Sequence, residues 1–131
     1  MAAFPAVEQL LPHRGSMLLT DEVLSHEADS VVTRATASPE GMPAWMGLEL
    51  MAQAAAAYAG LEARARGQAP RRGMLIGCRV YRAVSPSWSG VLSVKASRTA
   101  SDESGFSLFE CSVTSSSGET LATGTIQVLL Q

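Results

Sequence analysis

Two residues capable of acid-base and hydrogen-bond chemistry lie inside an otherwise apolar stretch of the chain. Glu49 and Gln53 fall within MPAWMGLELMAQAAAAYAGLEARARG, residues 42–67, which is rich in alanine and other apolar residues. Residues four apart share one face of a helix, so the carboxylate and the amide would be neighbours there. Carboxyl groups in apolar surroundings serve enzymes as general acids or bases. Glu49 is therefore the candidate catalytic residue, and Gln53 either orients it or hydrogen-bonds strand backbone.

Glu49 itself admits three interpretations. An acid in the first turns of a helix is favoured by the helix dipole even when it is solvated. It can instead form a structural ion pair with an arginine such as Arg34 or Arg79. The surrounding leucine, methionine and alanine residues predict burial, however, and a buried charge without a partner is costly. This favours the third interpretation, a functional carboxylate at an interface between two subunits.

The chain has only two histidines, His13 and His26. His13 can assist Glu49 in proton transfer if the N-terminal segment reaches the helix, and a packing or capping role is the alternative. His26 lies in a polar run between two predicted strands, where we expect it in solvent. Two cysteines, Cys78 and Cys111, lie in strand-like stretches, which predicts buried reduced thiols.

The composition limits the class of protein. A chain of 131 residues fits one domain, residues 1–131, and can bury a substantial core. Charged residues make up 17% of the chain and hydrophobic residues 47%, so we expect a partner subunit to cover part of the surface in a homodimer or higher oligomer. A net charge of -2 argues against binding of nucleic acid.

Several kinds of site and location are not expected. No cysteine and histidine spacing suits zinc and no glycine-rich phosphate loop is present, so we expect neither a metal nor a cofactor. The N-terminus lacks a positive segment followed by a long apolar core, so we expect no signal peptide and a cytoplasmic location. Glu49, Gln53 and the charges near residue 65 interrupt the long apolar stretch, which argues against a membrane span.

The elements that must position Glu49 follow from periodicity and turn residues. Residues 42–67 predict one long helix, and residues 5–11 predict a short one that ends before a proline. Residues 84–90 contain another proline and predict a strand boundary or bulge. The predicted strands, which are rich in apolar and β-branched residues, are 17–24, 30–37, 74–83, 91–98, 106–114 and 121–130.

The order of these elements predicts the architecture. Only one connection is long enough for a crossover between parallel strands, so most of the sheet must be antiparallel. One long central helix wrapped by a curved antiparallel sheet satisfies the order. The predicted class is therefore α+β, with the hotdog fold. Its open sheet edge favours a dimer in which the sheets of the two subunits lie side by side and form one continuous sheet.

Three segments carry a resemblance to one known family. LPHRGSMLLTDEVL, residues 11–24, is similar to the family's opening segment. MPAWMGLELMAQ, residues 42–53, is similar to the start of its helix, with Glu49 and Gln53 matched. LIGCRVYRAVSPSWSG, residues 75–90, is similar to the stretch that enters its third strand. The chain thus resembles the hotdog-fold dehydratases of 3-hydroxyacyl groups on acyl carrier protein, over nearly its whole length.

One departure from the family concerns its catalytic histidine. The family carries that histidine upstream of the helix glutamate, at the position that Ala35 occupies here. No histidine lies between Ser30 and Gln53. The helix start PAW-x-G-x-E-x-MAQ resembles a smaller subgroup of predicted dehydratases, some of which are associated with aryl polyene pathways.

The resemblance implies a lyase that acts on 3-hydroxyacyl thioesters of acyl carrier protein or coenzyme A. It would form trans-2-enoyl thioesters in fatty acid synthesis or in polyketide and aryl polyene synthesis, with Glu49 as acid or base and His13 as the second catalytic candidate. The missing histidine keeps two alternatives open. One is a non-catalytic, acyl-binding subunit that forms a heterodimer with a histidine-bearing hotdog protein. The other is an acyl thioesterase that uses the helix carboxylate.

The start of the long helix is the candidate substrate-binding site. Amides at a helix N-terminus point free N–H groups toward an anionic oxygen, such as the thioester oxygen during proton abstraction. The bulky side chains there line an acyl tunnel or pack at a subunit interface. The predicted substrate-binding residues are Ala44, Trp45, Met46, Gly47 and Gln53. A basic group near the end of the helix has two interpretations: it binds the carrier's phosphate, or it is a solvated helix end. Its residues are Arg64, Arg66, Arg71 and Arg72.

Overall fold

The computed structural model describes residues 4–69 and 73–130, in which one long helix packs against a six-stranded sheet. The strands are β1 Thr20–His26, β2 Ser30–Thr36, β3 Met42–Pro43, β4 Gly73–Ala83, β5 Ser87–Trp88, β6 Val91–Ser101, β7 Phe106–Ser115 and β8 Thr120–Leu130, and the helix α1 is Gly47–Ala65. The main sheet has the order β1-β2-β6-β7-β8-β4, with antiparallel pairing throughout. β3 and β5 form a separate two-stranded ladder. The predicted α+β hotdog fold is confirmed.

The helix α1 is buried on several sides because it is thin. Leu50, Met51 and Tyr58 are almost fully buried, and the alanines between them let the sheet approach closely. A helix that is apolar on most of its faces is a core helix when other elements wrap it. Within the described ranges, no helix is long and apolar enough to cross a membrane.

α1 begins later than the predicted helix over residues 42–67. Met42 and Pro43 are extended and pair with Ser87–Trp88. The residue before a proline is disfavoured in the helical conformation, which explains the extended Met42. A 3-10 turn over Ala44–Met46 then leads into α1.

The N-terminal part also differs from the prediction. The short helix expected over residues 5–11 is only a 3-10 turn, Val7–Gln9. The strand expected over residues 17–24 begins at Thr20, because Gly15–Met17 forms a second 3-10 turn. Both turns keep this segment compact, so that it folds back over the helix.

Contact between the N-terminal segment and α1 brings His13 toward the helix. Leu10 and Leu11 are buried in the core. A Cβ placed on Gly60 of α1 would lie 3.0 Å from the carbonyl oxygen of Leu10. The glycine therefore permits the close approach, and His13 follows three residues after Leu10.

The two edge strands present different side chains to solvent. β1 carries exposed acids at Asp21 and Glu22, and charged edges resist pairing with another strand. β4 exposes Leu75, Ile76 and Val80, with exposed fractions of 43%, 46% and 68%. Arg79 and Arg82 on β4 are exposed as well. An open edge with exposed apolar side chains is a template for pairing, so β4 is the candidate edge for the predicted oligomer.

The cysteine prediction holds for one residue and fails for the other, although both thiols are free. Cys111 on β7 is buried, and this burial raises its pKa to about 12, so the thiol stays protonated. Cys78 is exposed, and its predicted burial is wrong because β4 lies at the edge of the sheet.

The edge strand β4 contains a bulge. Its register with β8 shifts after Arg79, so that Val80 and Tyr81 together stand opposite Gly124. Val80 has a φ of 52°, in the left-handed region that β-branched residues rarely adopt. Such a conformation costs on the order of 1 to 3 kcal/mol and persists only where the surroundings impose it.

Replacing Val80 with glycine should therefore stabilise the protein. Val80 is 68% exposed, so the Val80→Gly variant loses little packing while it relieves the backbone. We expect the free energy of unfolding in denaturant to rise by about 1 kcal/mol.

Val91→Gly is the matched control for this measurement. Val91 is also an exposed strand valine, and its φ is not positive. Glycine there should lower the free energy of unfolding by about 0.5 to 1 kcal/mol. An equal loss in both variants would show that Val80 carries no backbone strain.

Candidate functional site

Glu49 lies in the first turn of α1 and is held by two neighbours. Its side chain is 36% exposed. The Oε1 atom accepts a hydrogen bond of 3.0 Å from Gln53 Nε2 and lies 3.3 Å from Nε2 of His13. The structure thus brings Glu49, Gln53 and His13 together, as their places in the sequence allowed. Both contacts use Oε1, and neither engages Oε2.

Gln53 fixes the position of this group. Its side chain is fully buried, and its Oε1 accepts hydrogen bonds from the Leu19 amide at 3.0 Å and from the Thr20 amide and hydroxyl at 3.1 and 3.0 Å. Its Nε2 donates to the Met17 carbonyl at 2.7 Å as well as to Glu49. The amide cannot flip without losing these bonds, so it both binds backbone and orients Glu49.

His13 reaches Glu49 because a neighbouring arginine braces the segment that carries it. Arg14 Nη1 donates to the carbonyls of Leu11 and His13, both at 2.7 Å, and Arg14 Nη2 donates to the Glu8 carbonyl at 2.8 Å. Among the described residues, the buried Nδ1 of His13 has no hydrogen-bond partner. The imidazole therefore faces Glu49 through Nε2, and its other nitrogen is shielded from water.

A cavity of about 170 Å³ begins at His13 and Glu49 and follows α1. It reaches Arg66, which is about 25 Å from Glu49 along the helix at 1.5 Å per residue. Its middle is lined by small and apolar side chains, which are Ala52, Ala55, Ala56, Ala59, Leu75, Phe109 and Val128. Ala52, Ala56 and Ala59 follow Glu49 by three, seven and ten residues, which puts them on its face of the helix, and this spacing in the sequence could have identified that part of the lining.

The far end of the cavity is polar. His26 Nε2 lies 2.9 Å from Glu62 Oε2, so the predicted exposure of His26 to solvent is wrong. The ring of His26 packs edge-on against Tyr58, and Arg98 lies over the same tyrosine while pairing with Asp29 at 3.2 Å. Periodicity did not identify these partners, because the two members of each ion pair come from distant parts of the chain.

The basic group predicted near the end of α1 is described only in part. Arg66 lines the far end of the cavity, and Arg64 is exposed on the last turn of the helix. Arg71 and Arg72 lie outside the described residues. A phosphate-binding role for this group stays a prediction.

The residues predicted to bind substrate at the helix start lie outside the cavity. The Ala44 amide donates to the Pro86 carbonyl at 2.8 Å, and the Gly47 amide donates to the Ala44 carbonyl. Those two amides are therefore engaged within the protein. Trp45 is 73% exposed and Met46 is half-buried against the core. Their role in substrate binding stays a prediction.

The resemblance aligns Ala35 with the catalytic histidine of the dehydratases, and the structure buries this alanine. Ala35 on β2 is 1% exposed and stands opposite Thr20, which hydrogen-bonds Gln53. Arg34 lies near Asp21 and Glu22, at 3.7 and 3.4 Å, and it forms no ion pair with Glu49. In the described part of the chain, no group of three histidine, cysteine or acidic side chains is placed to hold a metal ion.

Comparison with solved structures finds several chains with a similar fold. One chain of "The Dehydratase Heterocomplex ApeI:P from Xenorhabdus doucetiae" is similar, with 26% identity, a TM-score of 0.89, and coverage of 98% of this chain and 92% of that one. A hypothetical thioesterase with coenzyme A from Streptococcus pneumoniae is similar at 10% identity, with a TM-score of 0.65 and coverage of 84% of each chain. The Escherichia coli PaaI protein is similar at 13% identity, with a TM-score of 0.62 and coverage of 82% and 81%. The last two likenesses indicate the fold alone.

Comparison of the sequence itself gives the family. A search of curated protein sequences found no significant match. A family model described as "ApeP-like: ApeP dehydratase" matches residues 5–131, which is nearly the whole chain. The chain therefore belongs to the ApeP-like dehydratase family, as a dehydratase-type hotdog protein.

Proposed function

We propose that this protein dehydrates 3-hydroxyacyl thioesters carried on acyl carrier protein, giving trans-2-enoyl thioesters and water. The observation that supports this most directly is the 3.3 Å contact between His13 and Glu49 at one end of the cavity. The apolar middle of the cavity suits an acyl chain, since ligand sites are mostly apolar with a few placed polar groups. Membership of a dehydratase family supports the reaction class.

The reaction needs two proton transfers, and the proposal assigns one to each side chain. His13 Nε2 removes a proton from the α-carbon, and the electron pair left behind forms the double bond as the β-carbon loses its hydroxyl. The protonated Glu49 gives its proton to the departing hydroxyl, which leaves as water. Transfer of the proton from the His13 imidazolium to Glu49 across their 3.3 Å contact then restores both groups.

Replacing Glu49 with glutamine should remove dehydration while keeping the fold. The Glu49→Gln side chain has the same shape and can still meet Gln53, but it cannot donate an acidic proton. We expect kcat to fall about 100-fold or more, which is the usual contribution of a positioned acid or base. Loss of water from a panel of 3-hydroxyacyl carrier-protein and coenzyme A thioesters is followed by mass spectrometry.

Glu119→Gln is the matched control, because Glu119 is an exposed acid in the turn between β7 and β8. It should turn over substrate like the unmodified protein. Equal dehydration by the Glu49→Gln variant would rule out Glu49 as the acid. Release of free thiol instead of water, absent in Glu49→Gln, would indicate the thioesterase alternative.

Removal of the Gln53 amide should destabilise the protein strongly. The Gln53→Leu variant leaves the Met17 carbonyl and the amides of Leu19 and Thr20 without their buried partner. We expect the free energy of unfolding to fall by at least about 2 kcal/mol, because unsatisfied buried polar groups lose their solvation. Gln68→Leu changes an exposed glutamine and should have little effect. Equal effects of the two substitutions would show that the Gln53 bonds do not hold the fold.

A second function is favoured by different observations. Ala35 stands where the resembled dehydratases carry histidine, and β4 offers an apolar open edge. The similar chain from Xenorhabdus doucetiae belongs to a dehydratase heterocomplex. We propose as the alternative that this protein pairs through β4 with a histidine-bearing hotdog subunit, and that the pair carries the activity. A homodimer through the same edge is the competing assembly.

Charge placed on the β4 edge should prevent that pairing. Ile76 on β4 and Leu24 on β1 are 46% and 44% exposed, so Ile76→Asp and Leu24→Asp are matched in the loss of apolar surface. After co-expression with a hotdog dehydratase that carries the histidine, native mass spectrometry should show a mixed dimer. We expect Ile76→Asp to abolish it and Leu24→Asp to preserve it.

The outcome separates the two functions. Activity found only in the mixed dimer supports the partner role, and activity of the isolated protein supports the first proposal. Exclusive homodimers with full activity would contradict the partner role. Equal assembly of both aspartate variants would exclude the β4 edge as the interface.

A further inference from the structure

Tyr81 connects the edge strand β4 to the start of the helix that carries Glu49. Its hydroxyl donates a hydrogen bond to the carbonyl oxygen of Ala44. The ring lies over two glycines, because a Cβ on Gly124 would be 3.3 Å from Tyr81 Cδ1 and a Cβ on Gly47 would be 3.0 Å from Tyr81 Cζ. A side chain on Gly47 would also overlap the tyrosine hydroxyl. Glycine at both positions thus leaves the space that Tyr81 fills.

The bulge in β4 supplies the tyrosine at this point. Val80 and Tyr81 share the place opposite Gly124, and Val80 takes the unfavourable left-handed conformation. Val80 is exposed while Tyr81 turns inward and is half-buried. Burial raises the pKa of Tyr81, and the neighbouring Cys78 raises it further, so the phenol stays protonated and remains a donor.

The turn before α1 is held on both sides of Ala44. Its amide donates to the Pro86 carbonyl at 2.8 Å, and its carbonyl accepts from Tyr81 and from the Gly47 amide. The indole of Trp88 packs over the same place, since a Cβ on Gly47 would be 2.8 Å from Trp88 Cη2. These contacts fix the position of the backbone at which the first turn of α1 begins.

Glu49 lies two residues beyond Gly47 and is constrained from two directions. Gln53 holds the carboxylate from the C-terminal side at 3.0 Å, and the anchored turn sets the backbone on the N-terminal side. The same carboxylate lies 3.3 Å from Nε2 of His13. Small displacements of reacting groups lower reaction rates substantially, so we expect the position of this turn to affect the rate.

We propose that Tyr81 is a positioning residue: through Ala44 it fixes the first turn of α1 and so holds Glu49 against His13. This inference rests on the proposed dehydration only for its kinetic consequence. Its structural consequence, a change in the contact of His13 with Glu49, is measurable without any substrate.

The two histidines allow a direct test. His13 faces Glu49 and His26 faces Glu62, so each imidazole reports on one end of α1. Tyr81→Phe removes the hydroxyl near the helix start. Tyr58→Phe is the matched variant, because the Tyr58 hydroxyl also donates to a backbone carbonyl, that of Ala28 at 2.5 Å, and its ring contacts His26. Both variants are studied as full-length protein with labelled histidine by NMR.

In Tyr81→Phe we expect the ring signals of His13 to move toward their positions in Glu49→Gln, while those of His26 stay unchanged. Tyr58→Phe should move His26 and leave His13 in place. Unchanged His13 signals in Tyr81→Phe, or movement of both histidines in both variants, would overturn the proposal.

The kinetic arm separates this proposal from the proposed function. If the unmodified protein dehydrates the thioester panel, Tyr81→Phe should lower kcat about tenfold with KM unchanged. An unchanged kcat would overturn the positioning role. If the unmodified protein shows no dehydration, the proposed function fails, and the NMR comparison alone decides the role of Tyr81.

Discussion

The buried amide of Gln53 is the interaction on which the rest of the candidate site depends. A polar side chain in the middle of a core helix is tolerated only when its donors and acceptors are satisfied. Those of Gln53 bond Met17, Leu19, Thr20 and Glu49. These bonds fix how α1 lies against the segment that enters β1. His13 lies just before this segment, so the amide contributes to the geometry of both ionisable partners.

The side chains on the two edge strands reflect a different constraint. An open strand exposes unpaired backbone groups, and proteins either charge such an edge or cover it. β1 exposes two acids, whereas β4 exposes apolar side chains and two arginines and contains a bulge. The bulge turns Tyr81 inward to the helix start, so the strand best suited to association is also in contact with the backbone that precedes Glu49. A single side chain therefore connects the open edge strand to the backbone that precedes Glu49.

Local patterns predicted the elements and part of the site. Six strands and the body of α1 follow from alternation and from the alanine-rich stretch, and the neighbouring positions of Glu49 and Gln53 follow from their spacing. The resemblance correctly predicted the hotdog dehydratase family. The pairing of His26 with Glu62 was missed, because it joins residues 36 positions apart through tertiary packing. The amide of Ala44 was expected to be free, and Pro86 engages it from a loop whose path no local pattern predicts.

The alanines of α1 that line the cavity keep it open along the helix. Ala52, Ala56 and Ala59 each present a single methyl group to the space beside Glu49. A valine or leucine at one of them would block the channel at a depth set by its distance from the carboxylate, about 1.5 Å per residue along the axis. A single substitution on this face would therefore set how far the cavity extends from Glu49, without altering the acid, the histidine or the amide that holds them.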